Sequence, residues 1–497
     1  VAFINIRPFA ILLALCCCHA AAQQRGSIDQ RFNELRKSPP ELYAFLLRMP
    51  KGADLHNHVA GAVYAETMLQ AAAQDHACID TNTFGYTDPP ANGTCPTPAA
   101  RAETDNYLAN SLIDSLSMRD FVPGRESAHD HFFASFAKFQ AAAPPEPASF
   151  VAEVIRRAAE QNESYLELMA LVGGGPVLQL GRKVGFTGDF AASAAQLREA
   201  GIADAVASLK TSVDELEKSR LHLLNCQQNP ESDACRVTVR YIYQVLREFP
   251  NDQVFAQTLA GFMLASIDPR VVAVNFVQPE DGLNSMRNYH LHMQMVDYLK
   301  TQFPSVRLTL HAGELASGLV PPEGLRFHIR EAIDLGHAER IGHGVDIMYE
   351  QDALGLLAAM KKQNIAVEIN LTSNDLILGV SGYNHPFPVY RKFGVPVTLN
   401  TDDEGVSRTH LTQEYQRAVL TYSLSYSDVK QIVRNGLQYS FLRGEGYWTD
   451  ATYREPAKAC QGGRQTTRCR DFLAANEKAR LQADLEERFQ VFEKSLP

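Results

Sequence analysis

Short apolar runs alternate along this chain with longer stretches whose apolar positions repeat at helical spacing. The runs cover residues 53–58, 165–170, 237–242, 271–277, 306–311, 340–343, 365–370 and 395–401. Strands alternating with helices predict a parallel sheet. Eight such units in one chain predict a closed α/β barrel, the (β/α)8 or TIM barrel. A doubly wound open sheet is the alternative. The barrel is favoured because the His, Asp and Glu residues of interest lie at the carboxyl ends of the runs, where barrels keep their sites.

Other stretches decorate this frame. Residues 28–49 read as helical, with a break near Pro39-Pro40, and form an N-terminal helical extension over 23–50. The barrel is assigned to 51–497. Residues 71–105 are rich in Gly, Pro, Thr and Asn and read as an insertion after the first strand, pinned by Cys78 and Cys95. Helical pattern resumes from 107 through 140. A mostly helical region from about 423 to 497 carries a loop between Cys460 and Cys469.

Composition narrows the partners. The chain has 497 residues, 45% of them hydrophobic, and a formal net charge of −10. An acidic chain without a Lys/Arg-rich run has no electrostatic attraction to a phosphate backbone, so nucleic acid is excluded as a partner. A small-molecule substrate is expected. Residues 1–22 read as a secretory signal: Arg7, then an apolar run from Pro8 to Cys18, then Ala20-Ala21-Ala22. That run is too short to span a membrane as a helix, so no stable insertion is expected after cleavage before Gln23. An exported protein, periplasmic or extracellular, follows. Six cysteines remain and permit 15 connectivities. Sequence proximity favours Cys78–Cys95, Cys226–Cys235 and Cys460–Cys469, and an even count suits disulfides in an oxidising compartment.

The candidate chemistry lies at the run ends. His56 and His58 are two apart, so on a strand both imidazoles share one face. His311 ends another run, and Asp402 follows a third. Three imidazoles and one carboxylate suit a single Zn2+ with a position left for water. Such an ion lowers the pKa of its water toward neutrality. Glu314, three residues past His311, is placed to donate or relay a proton. His343 ends the Arg340-Ile341-Gly342-His343-Gly344 run. Asp403 adjoins Asp402, and the two side chains are expected to diverge, one toward metal and one toward substrate. Singly, each of these residues also fits a structural role, such as a strand-end hydrogen bond or a turn. Jointly, they repeat one position at the carboxyl edge of the strands.

Four ordered segments resemble the signatures of the adenosine/AMP deaminase family. They are Met49-Pro50-Lys51-Gly52-Ala53-Asp54-Leu55-His56-Asn57-His58, Leu310-His311-Ala312-Gly313-Glu314, Arg340-Ile341-Gly342-His343-Gly344 and Leu399-Asn400-Thr401-Asp402-Asp403. The long N-terminus, insertion and signal are similar to the secreted branch, the adenosine deaminase-related growth factors. The resemblance implies a barrel of the metal-dependent hydrolase type. It implies that His56, His58, His311 and Asp402 hold zinc and that Glu314 protonates the purine at N1. It further implies that His343 orients or deprotonates the attacking water, and that Asp403 contacts that water and the purine. His58, Asp403 and Gln278 are the implied substrate contacts. Asn374 and His385-Pro386 also fall in family-like places.

The resemblance thus implies hydrolytic deamination of a purine nucleoside, adenosine or 2′-deoxyadenosine, to inosine or deoxyinosine and ammonia. Two positions depart from the compact enzymes: Ala60 replaces an acid facing the ribose, and Gln278 stands near a glycine that contacts the base. An adenine or other aminopurine deaminase on the same barrel is therefore the first alternative. A secreted binding or signalling protein is the second. The Cys78–Cys95 insertion is read as serving either a receptor contact or homodimerisation.

Overall fold

The computed structural model describes residues 28–90, 93–124, 126–141, 147–170 and 174–496. The signal reading of residues 1–22 lies outside them. Strands are numbered in chain order. β2 (Cys78–Asp80) and β3 (Gly85–Thr87) pair as an antiparallel hairpin. The others are β1 (Ala53–His58), β4 (Tyr165–Ala170), β5 (Thr238–Leu246), β6 (Val271–Val277), β7 (Thr309–Ala312), β8 (Arg340–His343), β9 (Ala366–Ile369) and β10 (Val397–Leu399). They form two parallel ladders, β1-β4-β5-β6 and β10-β9-β8-β7. Both seams between the ladders are joined by parallel bridges, Val274 with Leu308 and Asn57 with Asp402. The Asp402 N–H donates to the His56 carbonyl at 2.8 Å, and the His58 N–H to the Asp402 carbonyl at 3.0 Å. No edge remains, so the ring is the expected barrel and not an open sheet.

A two-residue period explains why these runs become barrel strands. Leu55, Leu166, Leu168, Leu308, Leu310, Ile341, Val367, Ile369, Val397 and Leu399 join the large core beneath the surrounding helices. The alternate positions are mostly polar and bond to one another inside the ring. The Arg340 guanidinium donates to Glu167 at 2.6 Å and to Glu368 at 2.5 Å, and the Thr309 hydroxyl donates to Glu368 at 2.7 Å. Buried charges are tolerated there because each is paired. The Phe441 ring lies 3.8 Å from the Arg340 guanidinium and shares an apolar cluster with Met169, Ile242 and Ala273.

The crossover from β1 to β4 carries the insertion. The helix Ala65–Gln74 precedes the β2–β3 hairpin, and these elements share a separate core with Tyr86, Ala99, Leu108 and Leu112. The helical stretch expected over 107–140 is two helices, Asn106–Ser115 and Ala128–Phe139, parted by a segment containing Pro123. Helices Ile28–Leu35 and Pro39–Arg48 form the extension. Its prolines open the second helix, where a missing N–H costs nothing. Phe32 and Phe45 pack against Tyr426, and Phe45 also meets Phe492. The six cysteines pair locally as expected, with Cα–Cα distances of 5.7, 5.5 and 4.6 Å along the chain.

Candidate active site

Polar residues gather at the carboxyl end of the ring. His56 and His58 close β1, His311 lies in β7, and Asp402 follows β10. The Nε2 atoms of His56 and His58 lie 3.4 and 3.3 Å from Asp402 Oδ1, and the Nε2 atoms of His58 and His311 are 3.3 Å apart. Each ring is held from behind. His56 Nδ1 is 2.7 Å from Glu368 Oε2, His58 Nδ1 is 3.1 Å from Gln244 Oε1, and His311 Nδ1 is 3.0 Å from Asn275 Oδ1. Asn275 Oδ1 also accepts the His311 backbone N–H at 3.0 Å, which fixes that amide's orientation. Three acceptors take the Nδ1 protons and turn the Nε2 atoms inward. His56 Nε2 is buried without a hydrogen-bond partner.

The electrostatics describe a centre short of positive charge. Burial disfavours the His56 imidazolium, but Asp402 and Glu368 outweigh it and push its pKa up to about 10. Burial pushes His58 down to about 4, and burial with neighbouring histidines holds His311 well below its ordinary value. Burial would raise Asp402, yet the surrounding imidazoles hold it far below the carboxylate range. The donor set, its inward Nε2 atoms and the orphaned His56 nitrogen fit a divalent cation, which would displace the second His56 proton.

His343 joins the same cluster, within 4.8 Å of His56, His311 and Asp402 in ligand-atom terms. Its tautomer differs. The Phe387 backbone N–H donates to His385 Nδ1 at 3.1 Å, so His385 carries its proton on Nε2. That proton meets Asn374 Oδ1 at 3.0 Å, and Asn374 Nδ2 donates to His343 Nδ1 at 2.8 Å. Neutral His343 therefore bears hydrogen on Nε2, 3.8 Å from Asp402 Oδ2. Its inward nitrogen is a donor, not a ligand lone pair. Burial pushes its pKa down to about 3, which keeps the ring neutral.

Glu314 and Asp403 complete the group. Glu314 Oε1 lies 3.5 Å from His343 Nδ1. Burial, then the charges of Asp402 and Glu280, raises Glu314 well above its ordinary pKa, which favours its protonated form. Burial and Asp402 raise Asp403 likewise. The expectation that Asp402 and Asp403 diverge is corrected. Strand alternation ends at Leu399, and Asp402 adopts φ 61°. This left-handed turn lets both carboxylates line one cleft with His58. Gly61 makes room: a Cβ there would meet Asp403 Oδ1 at 1.8 Å.

A cavity of about 410 Å³ opens onto these groups. Phe132, Phe133 and Phe136 of the helix Ala128–Phe139 form one wall, with Leu246, Val277 and Ile377 beside them. Sequence reasoning missed this wall, although its i, i+1, i+4 spacing marks an apolar helix face. Ala60 and Gln278 also line the cavity. Gln278 holds φ 82°, a conformation natural to glycine, and its side-chain oxygen accepts the Glu248 N–H at 3.0 Å.

The fold is shared with solved deaminases. An adenine deaminase from Arthrobacter aurescens superposes with a TM-score of 0.54 at 17% identity, over 88% of this chain and 98% of that one. The N6-methyl-AMP deaminase of Arabidopsis thaliana gives 0.52 at 18%, over 81% and 94%. These likenesses show a shared fold. The adenosine deaminase family model matches residues 203–447. An adenosine deaminase of Clostridium perfringens is 26% identical over 404 residues, 80% of this chain and 96% of that protein. That of Enterococcus faecalis is 36% identical over 139 residues, 28% and 38% respectively. The chain is thus similar to adenosine deaminases, most specifically over residues 203–447.

Proposed function

We propose that this protein hydrolytically deaminates adenosine or 2′-deoxyadenosine, using one zinc ion held by His56, His58, His311 and Asp402. The observation that carries the reading is the clustering of the His56, His58 and His311 Nε2 atoms with Asp402 beside the buried Glu314 carboxyl. His343 is left out of the ligand set because its Nε2 bears the proton. The ion, when bound, supplies an activated water at neutral pH. Glu314 donates its proton to N1 of the ring, which makes C6 electrophilic. His343 Nε2–H and Asp403 orient the attacking oxygen, and the cavity's apolar wall excludes bulk water. Of the attacking water's two protons, one passes to the amino group, which leaves C6 as ammonia, and the other returns to Glu314 as the 6-oxo product forms with N1 protonated.

Among the described residues lining the cavity there is no Lys or Arg. This supports an uncharged nucleoside over a nucleotide, whose phosphate would lose its hydration without a cationic partner. Ammonia release from adenosine, 2′-deoxyadenosine, adenine and AMP, with and without chelator, tests the proposal. Turnover of none of them, or full turnover after metal removal, would refute it.

A second reading, deamination of the free base, is favoured by Ala60, which offers the sugar no polar group. Ala60→Asp is then expected to shift preference toward adenosine while metal content stays constant. An unchanged adenosine-to-adenine ratio would count against Ala60 as the ribose-facing position. Export is also proposed, on the charge-apolar-small order of the first 22 residues and three local disulfides. Secreted material is expected to begin near Gln23.

A further inference from the structure

Glu280 lies three residues beyond β6, and its carboxylate is wholly buried. The reaction does not touch it. Burying a carboxylate is costly unless its oxygens are bonded, so its partners reveal its use. Oε1 accepts the Gly313 backbone N–H at 3.0 Å, and Oε2 accepts the Glu314 N–H at 2.8 Å. These amides belong to the turn that leaves β7 and carries the proton donor. The turn is constrained at Gly313, whose φ is 76° and where a Cβ would meet Asp346 Oδ1 at 2.5 Å.

Glu280 is itself fixed from behind. His328 Nδ1 donates to Oε1 at 2.5 Å from a fully buried ring. That ring stacks on Tyr289, with centroids 3.8 Å apart and planes at 12°. The Tyr289 hydroxyl donates to the His328 carbonyl at 2.9 Å. Arg247 approaches the far oxygen, with Nη2 4.0 Å from Oε2. Arg247 also donates to the carbonyls of His311 and Gln278 at 3.3 and 3.0 Å, spanning both strand ends.

We infer that Glu280, oriented by the stacked His328–Tyr289 pair, is the positioning residue that holds Glu314 in its proton-donating geometry. The two backbone bonds fix the loop, and the loop fixes the acid against the cavity. The inference rests on the reading of Glu314 as the acid. It differs from a purely structural cap because the fixed group is the reacting one and the nearby negative charge favours its protonated form.

The test is steady-state deamination by the zinc-loaded protein. Glu280→Gln retains the shape but turns an amide NH2 toward one loop N–H. A kcat loss of about 10–100-fold is expected, the range for supporting groups of this kind. Zinc stoichiometry and KM should stay at the parent's values. The alkaline limb of the kcat profile should move to lower pH, because losing the neighbouring charge lets Glu314 ionise more easily. His328→Leu should act in the same direction, and His328→Asn, which returns an amide N–H near Nδ1, should recover most of that rate. If Glu280→Gln does not fold, the His328 pair decides. A parent-like kcat and pH profile in Glu280→Gln or in His328→Leu overturns the inference. So does loss of zinc together with rate in both His328 variants. Glu314→Gln separates this from the underlying reading: parent-rate turnover there removes the acid itself. A collapsed Glu314→Gln beside parent-like Glu280 and His328 variants removes only the positioning role.

Discussion

Glu368→Gln isolates what the polar interior contributes to metal binding. Glu368 is fully buried and touches no substrate; Oε2 receives His56 Nδ1 at 2.7 Å, and Oε1 receives Thr309 and Arg340 at 2.7 and 2.5 Å. Burial would raise its pKa, but Arg340 and His56 pull it down to about 2, so it is ionised under all working conditions. The substitution keeps the volume, removes the charge and lets the His56 ring rotate or change tautomer. Outer-shell partners of this kind are worth about 10–100-fold in metal affinity, or about 1.4–2.8 kcal/mol. The fold also loses support, because Arg340 is left with Glu167 alone. That cost should fall below the roughly 3–5 kcal/mol of breaking an isolated buried pair, since one partner remains at 2.6 Å. The assay is zinc competition against a chromogenic chelator, paired with thermal unfolding in excess zinc. Weaker zinc binding, with full activity recovered at saturating metal, is the expected result. A variant with the parent's zinc affinity would refute the claim that the carboxylate orients His56.

Three further outcomes are expected. Glu314→Gln should retain zinc and lose at least about 10²–10⁴-fold in kcat, the worth of a general acid; single-turnover kinetics with metal analysis checks both, and a parent rate would discard the mechanism. Gly61→Ala should displace Asp403, whose Oδ1 would lie 1.8 Å from the new Cβ, and reduce kcat more than zinc content; equal losses of both would show a collapsed site instead. Glu280 and Glu368 both have folded pKa values near 2 against an ordinary 4.5, His328 and Arg247 outweighing burial in the first case and Arg340 and His56 in the second. Their stabilisation is full above pH 4.5 and is lost as pH falls toward 2, at roughly 3 kcal/mol each. Urea unfolding at pH 6, 4 and 3 should show that decline, and a flat profile would contradict it.

The alternation of apolar and polar positions determined much of this protein without help from the fold. A strand has a strict period of two, so Leu55, Leu310 and Leu399 had to face the helices while His56, His311 and Asn400 faced inward. Eight such runs, each followed by helix, leave few ways to bury every apolar face other than a closed ring. That ring places every strand's carboxyl end on one rim. His56, His58, His311, Asp402, Glu314 and His343 were legible for this reason.

Other features depended on residues far apart in sequence meeting across the ring, and no local pattern encodes such meetings. Glu368 supports His56 from 312 positions away, and Gln244 supports His58 from 186. The proton position on His343 is set by a chain that begins at the Phe387 amide, and this separates it from the three ligand histidines. The shared cleft of Asp402 and Asp403 follows from a left-handed residue that strand periodicity does not foresee. The phenylalanine wall depends on where the long β1–β4 crossover returns over the rim. Sequence alone determined which side chains could reach the rim. Tertiary contacts decided which atom of each is presented there and in what protonation state, because hydrogen-bond direction and burial are properties of the assembled ring.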